Sequence, residues 1–150
     1  MRFKNIKVYH LFWFLTVIVL LIGICKPNET LDINIHDTYF VIAHLHVAIA
    51  VSLFFFLNGL GYWLVQKVLK RKPEKYLTLI HAGIVIGSFA IYQMIIFYNT
   101  WFPANPDFPL FDDYQLMNIF LVSSTILNIF VALPVYITNL LITIFKLRNT

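Results

Sequence analysis

Charged residues and cysteines are both scarce in this chain of 150 residues. Only 12% of the residues are charged and 60% are hydrophobic, whereas an average soluble domain is about 25% charged and about 45–50% apolar. That composition excludes a soluble globular protein. The formal charge of +4 does not indicate a nucleic-acid partner, because the basic residues stand in short clusters between apolar runs. The single cysteine, Cys25, excludes an internal disulfide and the Cys/His spacings of a zinc or iron–sulfur site.

Long apolar runs dominate what remains. A helix needs about 20 apolar residues to cross a bilayer, and four runs approach or exceed that length, at residues 8–25, 39–66, 76–98 and 116–145. They predict an all-α membrane protein, a single domain of residues 1–150 with four transmembrane helices. The basic residues before the first run also suit a signal peptide, but the length of the run and the lack of a small-residue cleavage site favour a retained helix. Pro134 predicts a kink in the fourth helix.

The basic residues are distributed unevenly between the loops. Ten of the eleven lie before the first run, between the second and third, or after the fourth, and Lys26 alone lies in the remaining loops. Because cytoplasmic loops carry the excess of Lys and Arg, this asymmetry places both the N and C termini in the cytoplasm. We therefore predict a multi-pass protein of the bacterial cytoplasmic (inner) membrane.

Two histidines stand where the second run begins. If Asp37 or Thr38 caps that helix, His44 and His46 lie about 6–9 residues, or roughly 9–14 Å, inside it. Residues two apart on a helix point about 200° away from each other, so the two imidazoles cannot bind one ion from the same face. Each can instead give one axial ligand to a separate haem. The alternative for a membrane histidine is a hydrogen bond between helices or membership of a proton relay.

The segment around these histidines resembles the signature of subunit I of the haem-copper oxidases, the cytochrome c oxidase and quinol oxidase family. The matching residues are Leu31-Asp32-Ile33, His36-Asp37-Thr38-Tyr39, Val41, Ala43, His44 and His46. The resemblance implies that the four helices correspond to the last four of that family. It further implies that His44 is an axial ligand of the high-spin haem and His46 of the low-spin haem. His36 and Asp37 correspond to a region that binds magnesium and haem propionates, so a magnesium site is also implied there.

The family's copper-binding histidines belong to earlier helices that nothing in this sequence matches, so we do not expect oxygen reduction by this chain alone. The resemblance implies a membrane haem protein of respiratory electron transfer. A second chain, either another copy or other oxidase-like subunits, would complete the haem sites within the lipid bilayer. The alternative is a non-catalytic membrane interaction subunit that keeps the oxidase helices without cofactor. His10 and His81, near the predicted cytoplasmic face, are a further conceivable haem pair, but histidines that reach toward water are the commoner explanation there.

Overall fold

The structure is a computed structural model that describes residues 7–26, 28–35, 38–102 and 115–145. Four helices in it are long and apolar enough to cross a membrane, Val8–Cys25, His44–Val68, Lys75–Asn99 and Leu116–Phe145. A helix satisfies every backbone hydrogen bond within one segment, which is why uncharged runs of this length adopt it in lipid. The prediction of an all-α membrane protein with four transmembrane helices is confirmed.

The elements follow one another in a simple order. Helix α1 covers Val8–Cys25, strands β1 and β2 cover Thr30–Ile35 and Thr38–Ala43, and α2 covers His44–Trp63 with a π-helical extension at Leu64–Val68. Helix α3 covers Lys75–Trp101, α4 Gln115–Leu127 and α5 Leu133–Phe145, with a π-helical segment at Asn128–Ala132 joining the last two. The fourth span is thus continuous, and it widens immediately before Pro134, where the N–H of Leu133 bonds back to Asn128. That adjustment accommodates the backbone bond that proline cannot make.

A short β-hairpin separates α1 from α2, and the sequence did not predict it. β1 and β2 pair antiparallel, with Thr30 opposite Ala43 and Ile35 opposite Thr38. Thr38, Val41 and Ile42 favour a strand because branching at Cβ suits an extended backbone. The expected cap of the second helix at Asp37 or Thr38 is therefore wrong, since the backbone stays extended to Ala43 and the helix begins at His44.

The chain forms two compact units. The first contains α1, the hairpin, α2 and the end of α5 from Asn139, and the second contains α3, α4 and the beginning of α5. In the first unit α1 packs along α2 through aromatic side chains: the Phe12 and Tyr62 rings stack with centroids 6.1 Å apart, and Phe55 lies 6.2 Å from Phe12. All three side chains are buried. Gly23 permits a close approach of the two helices, because a Cβ added there would overlap the Cβ of Ala48.

The end of α2 is joined to the end of α5 within the first unit. Lys70 adopts a left-handed backbone conformation (φ 53°) that terminates the helix. Arg71 then donates to the carbonyl oxygens of Thr143, at 3.2 Å, and Ile144. The backbone N–H of Glu74 donates to Oδ1 of the buried Asn139 at 2.9 Å. Residues 70–74 therefore satisfy carbonyl groups near the C-terminal end of α5.

The second unit contains an open groove between α3 and α4. Gly83 and Gly87 line it, opposite Phe120 and Ser124, and its volume is about 310 Å³. A Cβ added at either glycine would meet no atom within 4 Å in the described part of the chain. Within the described residues, Gly83 and Gly87 therefore bring no other helix into close contact with α3.

The orientation of the spans stays a prediction that follows from charge. We expect reporters fused after Lys72 and at Thr150 to read cytoplasmic and one inserted near Asp107 to read external, because ten of the eleven basic residues share one side. Enzymatic reporters of compartment measure this directly. An external reading at Thr150 would contradict a chain with an even number of spans and both ends inside.

Candidate functional site

The candidate site lies at the first turn of α2, where the hairpin leads into the helix. Ala43 occupies the cap position and makes no side-chain hydrogen bond to the turn. The backbone N–H of His44 instead donates to the carbonyl oxygen of Glu29 at 2.9 Å. His44 and His46 therefore lie in the first turn of α2. The predicted depth of roughly 9–14 Å is wrong, because it assumed a helix that begins at Asp37 or Thr38.

The two histidines face opposite sides of α2, as their spacing predicts. His44 lies on the same side as Ala48 and Phe55, which are buried against α1. His46 is exposed and lies on the same side as Ile49 and Leu53, which are 49% and 55% exposed. One imidazole thus lies on the packed face of the helix, whereas the other stands at the end of an open apolar face.

His44 has a nitrogen atom without a hydrogen-bond partner. Its Nδ1 is buried, and no group in the described residues bonds to it. A buried polar atom left without a partner costs free energy, so this nitrogen suits a ligand or a partner group that the described residues do not supply. The donor chemistry fits haem, since a haem iron takes single imidazoles and an apolar surface suits the macrocycle. Among the described residues no group of three or more His, Cys, Asp or Glu is placed to hold a metal ion.

The other two described histidines, His10 and His81, make contacts with residues of this chain. His10 is exposed, and its Nδ1 accepts a hydrogen bond of 3.2 Å from the backbone N–H of Lys7, so it helps to cap α1. His81 is buried in the second unit, where its ring stacks on that of Tyr136 at 4.8 Å. His36 and Asp37, predicted as a magnesium site, lie outside the described residues.

An ion pair beside His44 was not predicted as part of the site. Nζ of Lys26 lies 2.9 Å from both carboxylate oxygens of Glu29, the residue whose carbonyl binds the N–H of His44. The sequence did contain one signal for it, since Lys26 is the only basic residue in the loops predicted to lie outside.

Comparison with known proteins gives the family. The family model of cytochrome c and quinol oxidase polypeptide I matches residues 2–130, which include the hairpin and both candidate histidines. The chain belongs to this family. It is an integral membrane protein related to the respiratory oxidases.

Individual relatives match shorter stretches. Cytochrome c oxidase subunit 1 of Albinaria turrita is 37% identical over 59 residues, 35% of this chain and 30% of the relative. The Candida albicans subunit 1 is 38% identical over 78 residues, 51% of this chain and 14% of the relative. The subunit 1 of Mytilus edulis is 35% identical over 54 residues, 35% of this chain and 10% of the relative. The matched stretch therefore amounts to less than a third of each relative. No solved structure matches the chain.

Proposed function

We propose that the chain is a haem-binding membrane subunit in respiratory electron transfer, with His44 and His46 each giving one axial imidazole to a separate haem. The observation that carries the proposal is the placement of these two imidazoles on opposite faces of the first turn of α2. Membership of the oxidase family supports it. The bound haem would supply one-electron redox chemistry, and the protein would supply ligands and an apolar environment.

The surroundings of His46 suit a macrocycle. Ile49 and Leu53 continue its face of the helix for two turns and remain exposed. Apolar side chains next to a single donor are the usual lining of a cofactor site. Within α2 no other histidine lies on this face, so a second ligand for a haem held by His46 would come from elsewhere.

A second chain would complete the sites in this proposal. The partner is either another copy, which would bring the two motif helices together about a twofold axis, or a different oxidase-like subunit. The proposal also includes the bacterial inner membrane as the location and Mg²⁺ at His36 and Asp37. Oxygen ligands suit that ion, although a single carboxylate is a small part of a magnesium site.

A haem titration tests the proposal. We expect the detergent-purified protein to develop a Soret band when haem is added, either alone or together with chains that co-purify from native membranes. The physical reason is that Nδ1 of His44 is buried without a hydrogen-bond partner in the described part of the chain and that His46 is exposed. The measurement is the absorption spectrum, with haem in empty detergent micelles as the blank.

Absence of a Soret band under both conditions would contradict haem binding and favour the second candidate, a non-catalytic interaction subunit. One observation supports that candidate. Helix α1 packs against the face of α2 that carries His44, with Gly23 against Ala48 one turn away, so the space beside that imidazole is partly filled by protein.

A further inference from the structure

One end of the first unit carries most of its described positive charge. The ring of Trp13 in α1 lies 6.2 Å from that of Trp63 in α2, so the beginning of α1 meets the end of α2. The cations described at this end, called here the basic end, are Lys7, Lys67, Lys70, Arg71 and Lys72, and the described carboxylate is that of Glu74. At the opposite end the described cation is Lys26, which is paired with Glu29.

Three lysines of the basic end are available to an anion. Lys67, Lys70 and Lys72 are exposed, and no carboxylate among the described residues forms an ion pair with any of them. Their ammonium groups stand close together in the sequence and repel one another. An anion that contacts more than one of these groups relieves that repulsion.

The backbone that carries these lysines is fixed. The N–H of Arg71 donates to the carbonyl oxygen of Val65 at 3.0 Å, and its guanidinium donates to carbonyl oxygens at the end of α5. Lys70 and Lys72 flank this anchored residue, and Lys70 has the left-handed conformation that ends the helix. Binding at a backbone ordered in advance loses less conformational entropy than binding at a free loop.

Aromatic and apolar side chains adjoin the lysines on α2. Trp63 lies about one helical turn before Lys67, farther inside the span, and the exposed Leu64 lies three residues before it. The Trp63 ring lies near that of Trp13, which itself contacts the ring of Tyr9 at 5.4 Å. Trp and Tyr side chains are enriched at the level of the lipid headgroups. A soluble anion would contact the lysines alone, whereas an anionic lipid would contact both the lysines and this apolar surface.

We propose that Lys67, Lys70 and Lys72 bind the phosphate group of one anionic phospholipid at the basic end. The acyl chains of that lipid lie against Trp63 and Leu64. A zwitterionic lipid binds more weakly, because the positive charge of its own headgroup opposes that of the lysines. Neither histidine of α2 takes part, so the lipid site requires no haem.

Quenching of tryptophan fluorescence measures this selectivity. The Trp101→Phe protein, which keeps Trp13 and Trp63 at the basic end, is reconstituted in phosphatidylcholine vesicles that contain brominated phosphatidylglycerol or brominated phosphatidylcholine. Bromine on the acyl chains quenches indole fluorescence at short range, so the lipid beside the two rings is identified. We expect brominated phosphatidylglycerol to bind about fivefold more strongly, the factor that corresponds to about 1 kcal/mol for one cation near an anionic surface.

Charge variants of the same protein test the three lysines. The combined change Lys67→Gln, Lys70→Gln and Lys72→Gln removes the preference for phosphatidylglycerol, whereas Lys26→Gln, at the other end of the unit, retains it. The unquenched emission maximum stays the same in every variant, since only exposed side chains are changed. Inorganic phosphate, added in place of chloride at equal ionic strength, leaves the quenching by brominated phosphatidylglycerol unchanged.

Four results overturn the inference. Equal quenching by the two brominated lipids shows that the basic end does not select an anionic headgroup. A preference that persists in the triple variant assigns the selectivity to other groups, and an equal loss in Lys26→Gln assigns it to net charge. Displacement of the brominated phosphatidylglycerol by inorganic phosphate shows that the lysines bind free phosphate rather than a lipid.

Discussion

We expect replacement of His46 by alanine to remove one of the two haem environments of the proposed function and to leave the other. His46 is the one histidine on the exposed face of α2, and His44 faces the opposite side, so in the proposed function each substitution deletes the ligand of a separate site. We expect His46→Ala and His44→Ala to weaken haem binding at their own site by roughly tenfold or more, since even groups that only support a metal ligand are worth about 10–100-fold. The difference spectra of the two variants should therefore differ from each other as well as from the parent.

Two other histidines provide matched controls. His10 is exposed and caps α1 through its Nδ1, and His81 stacks on Tyr136 in the second unit. We expect His10→Ala and His81→Ala to retain the parent spectrum, because neither imidazole belongs to the first turn of α2. Loss of the spectrum in His81→Ala alone would move the site away from the motif and contradict the assignment of His44 and His46.

Gly23→Ala should destabilise the packing of α1 on α2. The added Cβ would overlap the Cβ of Ala48, an atom fixed to the backbone, so the two helices must move apart along their interface. Overpacking of this kind costs about 1–3 kcal/mol. The free energy of unfolding in mixed detergent micelles measures the effect. Gly87→Ala is the matched control, because a Cβ there meets no atom within 4 Å of the described structure, and the substitution favours the helix.

Gly59 provides an intermediate case. A Cβ added there would lie 2.6 Å from Cδ1 and Nε1 of Trp13, but an indole ring can turn aside, whereas the Cβ of Ala48 cannot. We expect Gly59→Ala to cost less than Gly23→Ala. Equal stability of the Gly23→Ala and Gly87→Ala variants would show that the close approach of α1 to α2 contributes nothing measurable.

The four spans were predictable from the sequence alone. The first was predicted at residues 8–25 and the structure has Val8–Cys25, while the fourth was predicted at 116–145 and is Leu116–Phe145. The second begins five residues later than predicted, because an apolar segment rich in β-branched and aromatic residues suits a strand as well as a helix. Residues 38–43 form a strand because they pair with Thr30–Ile35 in the hairpin.

The sequence by itself determined that the chain spans a membrane and that His44 and His46 point in opposite directions, since both follow from composition and from the 3.6-residue period of a helix. Only the tertiary structure decided which of the two faces is packed. That outcome depends on where α1 approaches α2, and the approach is set by Gly23 against Ala48 and by the stacking of Phe12 on Tyr62. The contact between Glu29 and His44 also arises only on folding, because it joins residues on the two sides of the hairpin. The pattern of apolar residues in the sequence indicates that each helix has an apolar surface. Which neighbouring helix packs against that surface depends on how the side chains fit together in three dimensions.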